Sequence, residues 1–276
     1  MRPPARDGRP RRGIPLRTIV PNAVTALALC SGLFGIRFGI GGEWDKAVGA
    51  VVIAAILDGL DGRIARLLNG QSRFGAELDS LSDVTAFGVA PAIILYLWVL
   101  QPLEALGPDF DRWTRYGWLF ALAYAVCAAL RLARFNANID SVEQPHKSAG
   151  FLTGVPAPAG AGLVLLPVYL WSWTGEPLFR EIWLAAPWAA AVGFLMISNL
   201  ATFSWGSLRL RSHVRLGALV VIALVFAALI SAPFPTLSVA AIVYALMIPF
   251  SIASYSRIRR QRAAAGAPEP PAAPGP

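Results

Sequence analysis

Four aspartates stand inside the long apolar runs of this chain, and they constrain its fold more than any other feature. Asp58 and Asp61 lie three residues apart, and Asp79 and Asp83 lie four apart, so each pair occupies one face of its own helix. A charged side chain within a membrane costs about 2.5–3.5 kcal/mol on insertion scales. The four carboxylates therefore need compensating charge, which indicates a functional site.

A turn signal separates the two pairs of aspartates. Asn69-Gly70-Gln71-Ser72 predicts a loop, and with a helical rise of about 1.5 Å per residue an antiparallel hairpin brings all four carboxylates to similar depth. Carboxylate oxygens are the ligands that hard divalent cations prefer. The spacing thus predicts an intramembrane metal site, in which two cations, Mg²⁺ or Mn²⁺, would balance the four negative charges.

The composition indicates a polytopic membrane protein. Of the 276 residues, 56% are hydrophobic and 14% are charged, whereas soluble domains carry about 25% charged residues. The apolar runs predict an all-α membrane bundle of about eight transmembrane helices, and a six-span alternative stays open if the short fifth or seventh run is re-entrant. The predicted spans cover residues 19–40, 46–68, 74–100, 116–136, 158–173, 182–200, 216–230 and 237–254.

The two ends of the chain differ from this apolar region. Residues 1–13 are rich in Arg and Pro, and residues 257–276 are basic and then rich in Ala and Pro, so both are predicted to be disordered tails. One membrane domain is predicted between them, over residues 14–256. Its first apolar run has no convincing cleavage site and is expected to be an anchor.

The positions of the cations predict the orientation. With eight spans, 19 of the 24 Lys and Arg residues fall on the side of both termini. This excess puts both termini in the cytoplasm, and the aspartate hairpin then opens to the cytoplasm. Membrane topology accounts for the net charge of +8, so a nucleic-acid partner is not expected. The cations left on the other side are Arg37, Lys46, Arg112, Arg115 and Arg180.

The aspartates belong to a longer pattern. It reads Asp61-Gly62-x2-Ala65-Arg66-x8-Gly75-x3-Asp79-x3-Asp83, with Asp58 upstream, and it resembles the signature of the CDP-alcohol phosphatidyltransferase family. The resemblance implies an integral membrane enzyme that transfers a phosphatidyl group from a CDP-linked lipid to an alcohol, releases CMP and uses divalent metal.

The resemblance also divides the roles among the aspartates. It implies that Asp58, Asp61 and Asp79 bind the metal, and that Asp83 is the general base and a further metal contact. Spacing alone does not distinguish a base from a ligand. The residues implied to contact the CDP-lipid are Asn22, Gly62, Ala65, Arg66, Ser72 and Gly75.

These contact residues also allow plainer interpretations. The small residues could serve only close helix packing, and Arg66 could pair only with an aspartate. Asn22 and Ser72 are both suited to helix N-caps. The residue types leave these alternatives open.

Two further segments bear on the acceptor alcohol. Arg131-Leu132-Ala133-Arg134-Phe135-Asn136 and Gly154-Val155-Pro156-Ala157-Pro158 resemble the bacterial phosphatidylserine synthase branch of the family. That resemblance implies CDP-diacylglycerol as donor, L-serine as acceptor, CMP as product, a homodimer and a location in the bacterial inner membrane. Arg131 and Arg134 are expected to bind the serine carboxylate with their planar guanidinium groups, although an ordinary cytoplasmic arginine belt is the alternative.

Two other functions stay open at this stage. The first is the same chemistry with another acceptor, choline or glycerol 3-phosphate. The second is a cation or proton transporter, because intramembrane carboxylates also mark ion paths. A transporter commonly has paired broken helices in a repeat, whereas the acidic cluster here is single, and we therefore favour the enzyme.

Overall fold

The computed structural model describes residues 16–101, 110–137, 151–203 and 212–264, together with Gly266. The predicted N-terminal tail and nearly all of the C-terminal tail beyond Ala264 lie outside the described residues, so the prediction of disorder is untested there. For residues 257–264 the prediction of disorder is wrong, because the last helix continues to Ala264.

The described chain is α-helical apart from one short two-stranded sheet. Its first half contains α1 Leu16–Ile40, α2 Trp44–Leu67, α3 Arg73–Asp83, a π-helical segment Val84–Val89, α4 Ala90–Leu100 and α5 Phe110–Ala137. Its second half contains β1 Phe151–Thr153, α6 Ala157–Val164, α7 Leu166–Thr174, a 3-10 helix Pro177–Arg180, α8 Ile182–Ile197, β2 Ala201–Phe203, α9 Ser212–Ser231 and α10 Pro233–Ala264. The strands pair antiparallel, with Thr153 opposite Ala201.

The structure confirms the prediction of an all-α protein with helices that can cross a membrane. Among the described residues, four helical segments are long and apolar enough to cross a membrane: Leu16–Ile40, Arg73–Leu100, Tyr116–Ala137 and Pro233–Ile258. Two shorter apolar helices are Ile182–Ile197 and Leu216–Ser231.

Prolines reshape two of the predicted spans. The fifth predicted run is not one helix, because α6 ends at Val164 and α7 begins at Leu166, just before Pro167. Proline has no backbone N–H and so cannot bond the carbonyl four residues earlier. The carbonyl of Leu163 instead accepts a bond from the indole Nε1 of Trp188 at 2.7 Å. A side chain from α8 thus replaces the missing helical bond.

The same compensation occurs in the helix that carries Asp79 and Asp83. There the backbone changes from α to π immediately after Asp83, and Pro91 follows at the start of α4. The Tyr124 hydroxyl of α5 donates to the Phe87 carbonyl at 2.9 Å. Single π turns inside α-helices are frequent at functional sites, and this one adjoins the last of the four aspartates.

Helix α1 packs closely against both helices of the aspartate hairpin. A Cβ atom added to Gly32 would lie 2.7 Å from the Cα of Ala86, so a larger residue would force α1 away from the π-helical segment. Ser31 donates from Oγ to the Ala50 carbonyl of α2 at 2.8 Å. The three helices therefore form one packed unit around the aspartates.

A cation from the second half of the chain holds the opposite end of the bundle. The Arg180 guanidinium lies 5.3 Å from the ring centre of Trp98 and 5.0 Å from that of Trp171. It also donates to the Trp98 carbonyl at 2.8 Å and to Gln101 Oε1 at 2.7 Å. Trp44 of α2 donates to the same Gln101 oxygen at 3.3 Å, so one arginine connects α4, α7 and α2.

We expect Arg180→Ala to lower the melting temperature of the purified protein in detergent. The substitution removes two hydrogen bonds and two cation–π contacts, together worth about 1–3 kcal/mol. Arg37→Ala is the control, because Arg37 is exposed at the end of α1. Equal melting temperatures for the two variants would contradict this assignment.

Candidate functional site

Three of the four aspartates meet where α2 faces α3. Asp58, Asp61 and Asp79 each place a carboxylate oxygen within 4.8 Å of the others. The predicted loop reverses the chain between them, with Asn69 in the left-handed region at φ 48°. Ser72 then caps α3, because its Oγ accepts a bond from the Gly75 N–H at 3.0 Å. The hairpin expected from the sequence thus brings these three residues together.

Asp61 is the most firmly held member of the cluster. Its side chain is 5% exposed, and its Oδ2 accepts a bond of 2.7 Å from the Thr25 hydroxyl of α1. The Thr25 carbonyl in turn accepts a bond from Ser82 of α3 at 3.3 Å. Sequence analysis did not single out Thr25, because a threonine in an apolar run carries no signal of its partner 36 residues away.

Asp83 stands apart from this group of three. Its carboxyl lies within hydrogen-bonding reach of Asp58, while its Oδ1 is buried and has no hydrogen-bond partner among the described residues. It also interacts electrostatically with Arg131 of α5. Asp83 therefore lies between the carboxylate cluster and a guanidinium group.

The two arginines that were expected to bind serine have different surroundings. Arg131 is half-buried and faces Asp83. Arg134 is exposed, and its Nη1 donates to the Ile197 carbonyl and to Asn199 Oδ1, both at 2.9 Å. Arg134 thus holds the carboxyl end of α8, where cations stabilise the terminal carbonyls. The structure brings only Arg131 to the aspartates.

A pocket of about 430 Å³ lies against the cluster, lined by Asp61 and Asp79. All six residues expected to contact a CDP-lipid line it as well: Asn22, Gly62, Ala65, Arg66, Ser72 and Gly75. Further lining residues, which sequence analysis missed, are Pro21, Thr25, Gly70, Gln71 and Ala76.

Two glycines of the pocket have different physical reasons to be glycine. A Cβ on Gly75 would lie 2.7 Å from Asn22 Oδ1, so a side chain there would have to displace the Asn22 side chain from its present position. A Cβ on Gly62 would meet no atom within 4 Å. The space beside Gly62 therefore belongs to the pocket rather than to helix packing.

Arg66 provides positive charge at the edge of the pocket. It is exposed, and its Nε donates to the Gly62 carbonyl at 3.1 Å. Within the described residues no carboxylate lies in ion-pair range of Arg66, since the one ion pair found there joins Lys46 to Glu43. The structure therefore does not support the alternative in which Arg66 only pairs with an aspartate.

The donor set fits a hard divalent cation. Three carboxylates converge within 4.8 Å, and in the described part of the chain none of them forms an ion pair with Lys or Arg. Oxygen-only ligation by carboxylates is the chemistry of Mg²⁺, Mn²⁺ and Ca²⁺. The cluster could therefore hold such an ion.

Comparison with known proteins gives the family context of this site. The family model described as CDP-alcohol phosphatidyltransferase matches residues 18–196, which include the aspartates and the whole pocket. A second model, described as CDP-alcohol phosphatidyltransferase 2, matches residues 213–249.

Several relatives are named CDP-diacylglycerol–serine O-phosphatidyltransferase. The chain is 38% identical to one from Mycobacterium tuberculosis (strain H37Rv), over 89% of this chain and 82% of the relative. It is 37% identical to one from Helicobacter pylori (strain 26695), over 66% of this chain and 70% of the relative. It is 34% identical to one from Bacillus subtilis (strain 168), over 66% and 88%. The resemblance found in the aspartate pattern is thus confirmed over most of the sequence, and the chain belongs to the CDP-alcohol phosphatidyltransferase family.

Proposed function

We propose that this protein transfers the phosphatidyl group of CDP-diacylglycerol to L-serine, forming phosphatidylserine and releasing CMP. The observation that carries the proposal is the cluster of Asp58, Asp61 and Asp79 against a pocket whose lining matches the family pattern. The names of the relatives support serine as the acceptor.

The donor binds in the pocket in this proposal. The small residues Gly62, Ala65 and Gly75 leave room for the cytidine diphosphate group, and Asn22 and Ser72 offer polar side chains beside it. Arg66 contacts a phosphate, because a guanidinium group with no carboxylate partner suits a phosphate oxygen.

Asp58, Asp61 and Asp79 would hold one or two divalent cations, Mg²⁺ or Mn²⁺. A bound metal supplies Lewis-acid stabilisation to the pyrophosphate charge and to the departing CMP. The hydrogen bond from Thr25 fixes the orientation of Asp61, as outer partners of metal ligands commonly do.

Asp83 is proposed as the general base. The serine hydroxyl oxygen forms a new bond to the phosphorus that carries the diacylglycerol. The bond from that phosphorus to CMP breaks, and the hydroxyl proton passes to Asp83. Its buried Oδ1, which has no partner among the described residues, is free to accept that proton. A serine hydroxyl is a weak nucleophile at neutral pH, so a positioned base accelerates its attack.

We also propose an eight-span topology for a membrane domain over residues 14–256. Eight helical units support it, if the α3–α4 helix and the α6–α7 pair each count as one span. The cation asymmetry supports cytoplasmic termini and a site that opens to the cytoplasm. The bacterial sources of the relatives support a location in the bacterial inner membrane. The homodimer implied by the family resemblance remains part of this proposal.

The proposed activity is tested by release of CMP from CDP-diacylglycerol by the purified protein in detergent. We expect release with L-serine and divalent metal, and none after chelation. Choline and glycerol 3-phosphate, tested in parallel, should not replace serine. Release with one of these alcohols but not with serine would leave the reaction class intact and overturn the acceptor.

We expect Asp61→Asn or Asp79→Asn to abolish CMP release, because each substitution removes a charged oxygen ligand from the cluster. Any residual rate should need more metal than the wild type. Asp45→Asn is the matched control, since Asp45 lies in the first turn of the same helix as Asp61. Near-normal rates with an unchanged metal titration would refute the ligand assignment.

Asp83→Asn should lower the maximal rate by about 10²–10⁴, the usual contribution of a general base. The amide keeps the size of the side chain but cannot take the proton, so CDP-lipid binding should persist. The measurement is a metal titration of CMP release together with direct binding of CDP-lipid. If excess metal restores the rate, Asp83 is a ligand instead of the base.

A further inference from the structure

Three buried polar atoms without partners belong to Asp83 and to two residues on helices that do not line the pocket. They are Oδ1 of Asp83, Nε of Arg131 on α5 and the hydroxyl of Tyr244 on α10, and none has a hydrogen-bond partner among the described residues. Arg131 interacts electrostatically with both Asp83 and Tyr244. A buried polar atom left unsatisfied is costly, so three together point to a ligand that satisfies them.

Two tyrosines, Tyr124 and Tyr244, interact with Arg131, and they differ in whether their hydroxyl has a hydrogen-bond partner. Tyr124 also interacts with Arg131, but its hydroxyl donates to the Phe87 carbonyl at 2.9 Å. The Tyr244 hydroxyl is buried too, yet it has no hydrogen-bond partner among the described residues. A phenol and a guanidinium group therefore both present free donors near one carboxylate.

The chemistry of Asp83, Arg131 and Tyr244 indicates which functional groups a ligand at this position would carry. Two donors, one of them cationic, suit a carboxylate, and a carboxylate at Asp83 suits a hydroxyl group. Because Arg131 and Asp83 are close enough to interact, one molecule the size of an amino acid can contact both. A β-hydroxy amino acid carries these two groups on adjacent carbons.

We propose that Tyr244 and Arg131 together bind the carboxylate of the acceptor serine and orient its hydroxyl toward Asp83. This inference rests on the proposed function. It assigns acceptor recognition in part to Tyr244 of α10, which lies outside residues 18–196 and within the second matched region, 213–249. Helix α10 packs against α6, α7 and β2.

The test is the steady-state kinetics of Tyr244→Phe, which removes only the hydroxyl. We expect its KM for serine to rise about 10- to 100-fold, as for a lost hydrogen bond to a charged group. Its kcat at saturating serine and its KM for CDP-diacylglycerol should stay close to wild-type values. Ser238→Ala is the control, because Ser238 is another buried hydroxyl on α10 without a partner among the described residues, roughly 9 Å away along the helix.

The variants test the role of Tyr244, whereas the wild-type protein tests the proposed function. KM does not depend on the fraction of active protein, so a partly folded preparation still gives a valid comparison. An unchanged serine KM, an equal rise for Ser238→Ala, or complete loss of turnover in Tyr244→Phe would overturn the role of Tyr244. Failure of the wild-type protein to release CMP with serine would instead overturn the proposed function.

Discussion

The need to compensate clustered carboxylates inside an apolar chain is the constraint on which this structure depends. Asp58, Asp61 and Asp79 come within 4.8 Å of one another, where like charges repel and burial disfavours ionisation. In the described part of the chain, hydrogen-bond donors compensate only part of this negative charge, chiefly through the bond from Thr25 to Asp61. The remaining negative charge suits a divalent cation, and among the described residues none of the three aspartates is paired with lysine or arginine.

The helices around the cluster are fitted to one another by small residues and by side chains that replace helical hydrogen bonds. Gly32 allows α1 to touch the π-helical segment, and Gly75 allows α3 to approach Asn22. Prolines leave carbonyl groups without an α-helical donor, and Trp188 and Tyr124 satisfy two of them. Unsatisfied backbone groups are expensive in a membrane, so these substitutes let the helices bend near the site without losing stability.

The site has two faces that differ in their chemistry. Toward α1 and the hairpin loop lies the pocket, with glycines and Arg66, which suits a nucleotide diphosphate. Toward α5 and α10 lie Arg131 and Tyr244, which suit a small carboxylate-bearing alcohol. Asp83 stands between the two faces, directly before the change from α to π backbone. A displacement at phosphorus needs its donor and acceptor on opposite sides of the reacting centre, and this arrangement offers a separate place for each.

The sequence by itself determined the membrane class and the hairpin. These follow from local pattern: apolar runs, i, i+3 and i, i+4 spacing, and a loop signal at Asn69-Gly70. Six of the residues that line the pocket came instead from the resemblance of the aspartate pattern to a known family. Tertiary structure alone decided which groups from distant segments meet. The bond from Thr25 to Asp61, the different surroundings of Arg131 and Arg134, and the approach of Tyr244 join residues far apart in the chain. Their contacts depend on how the helices pack, and periodicity within one helix carries no information about the neighbour that its side chains will touch.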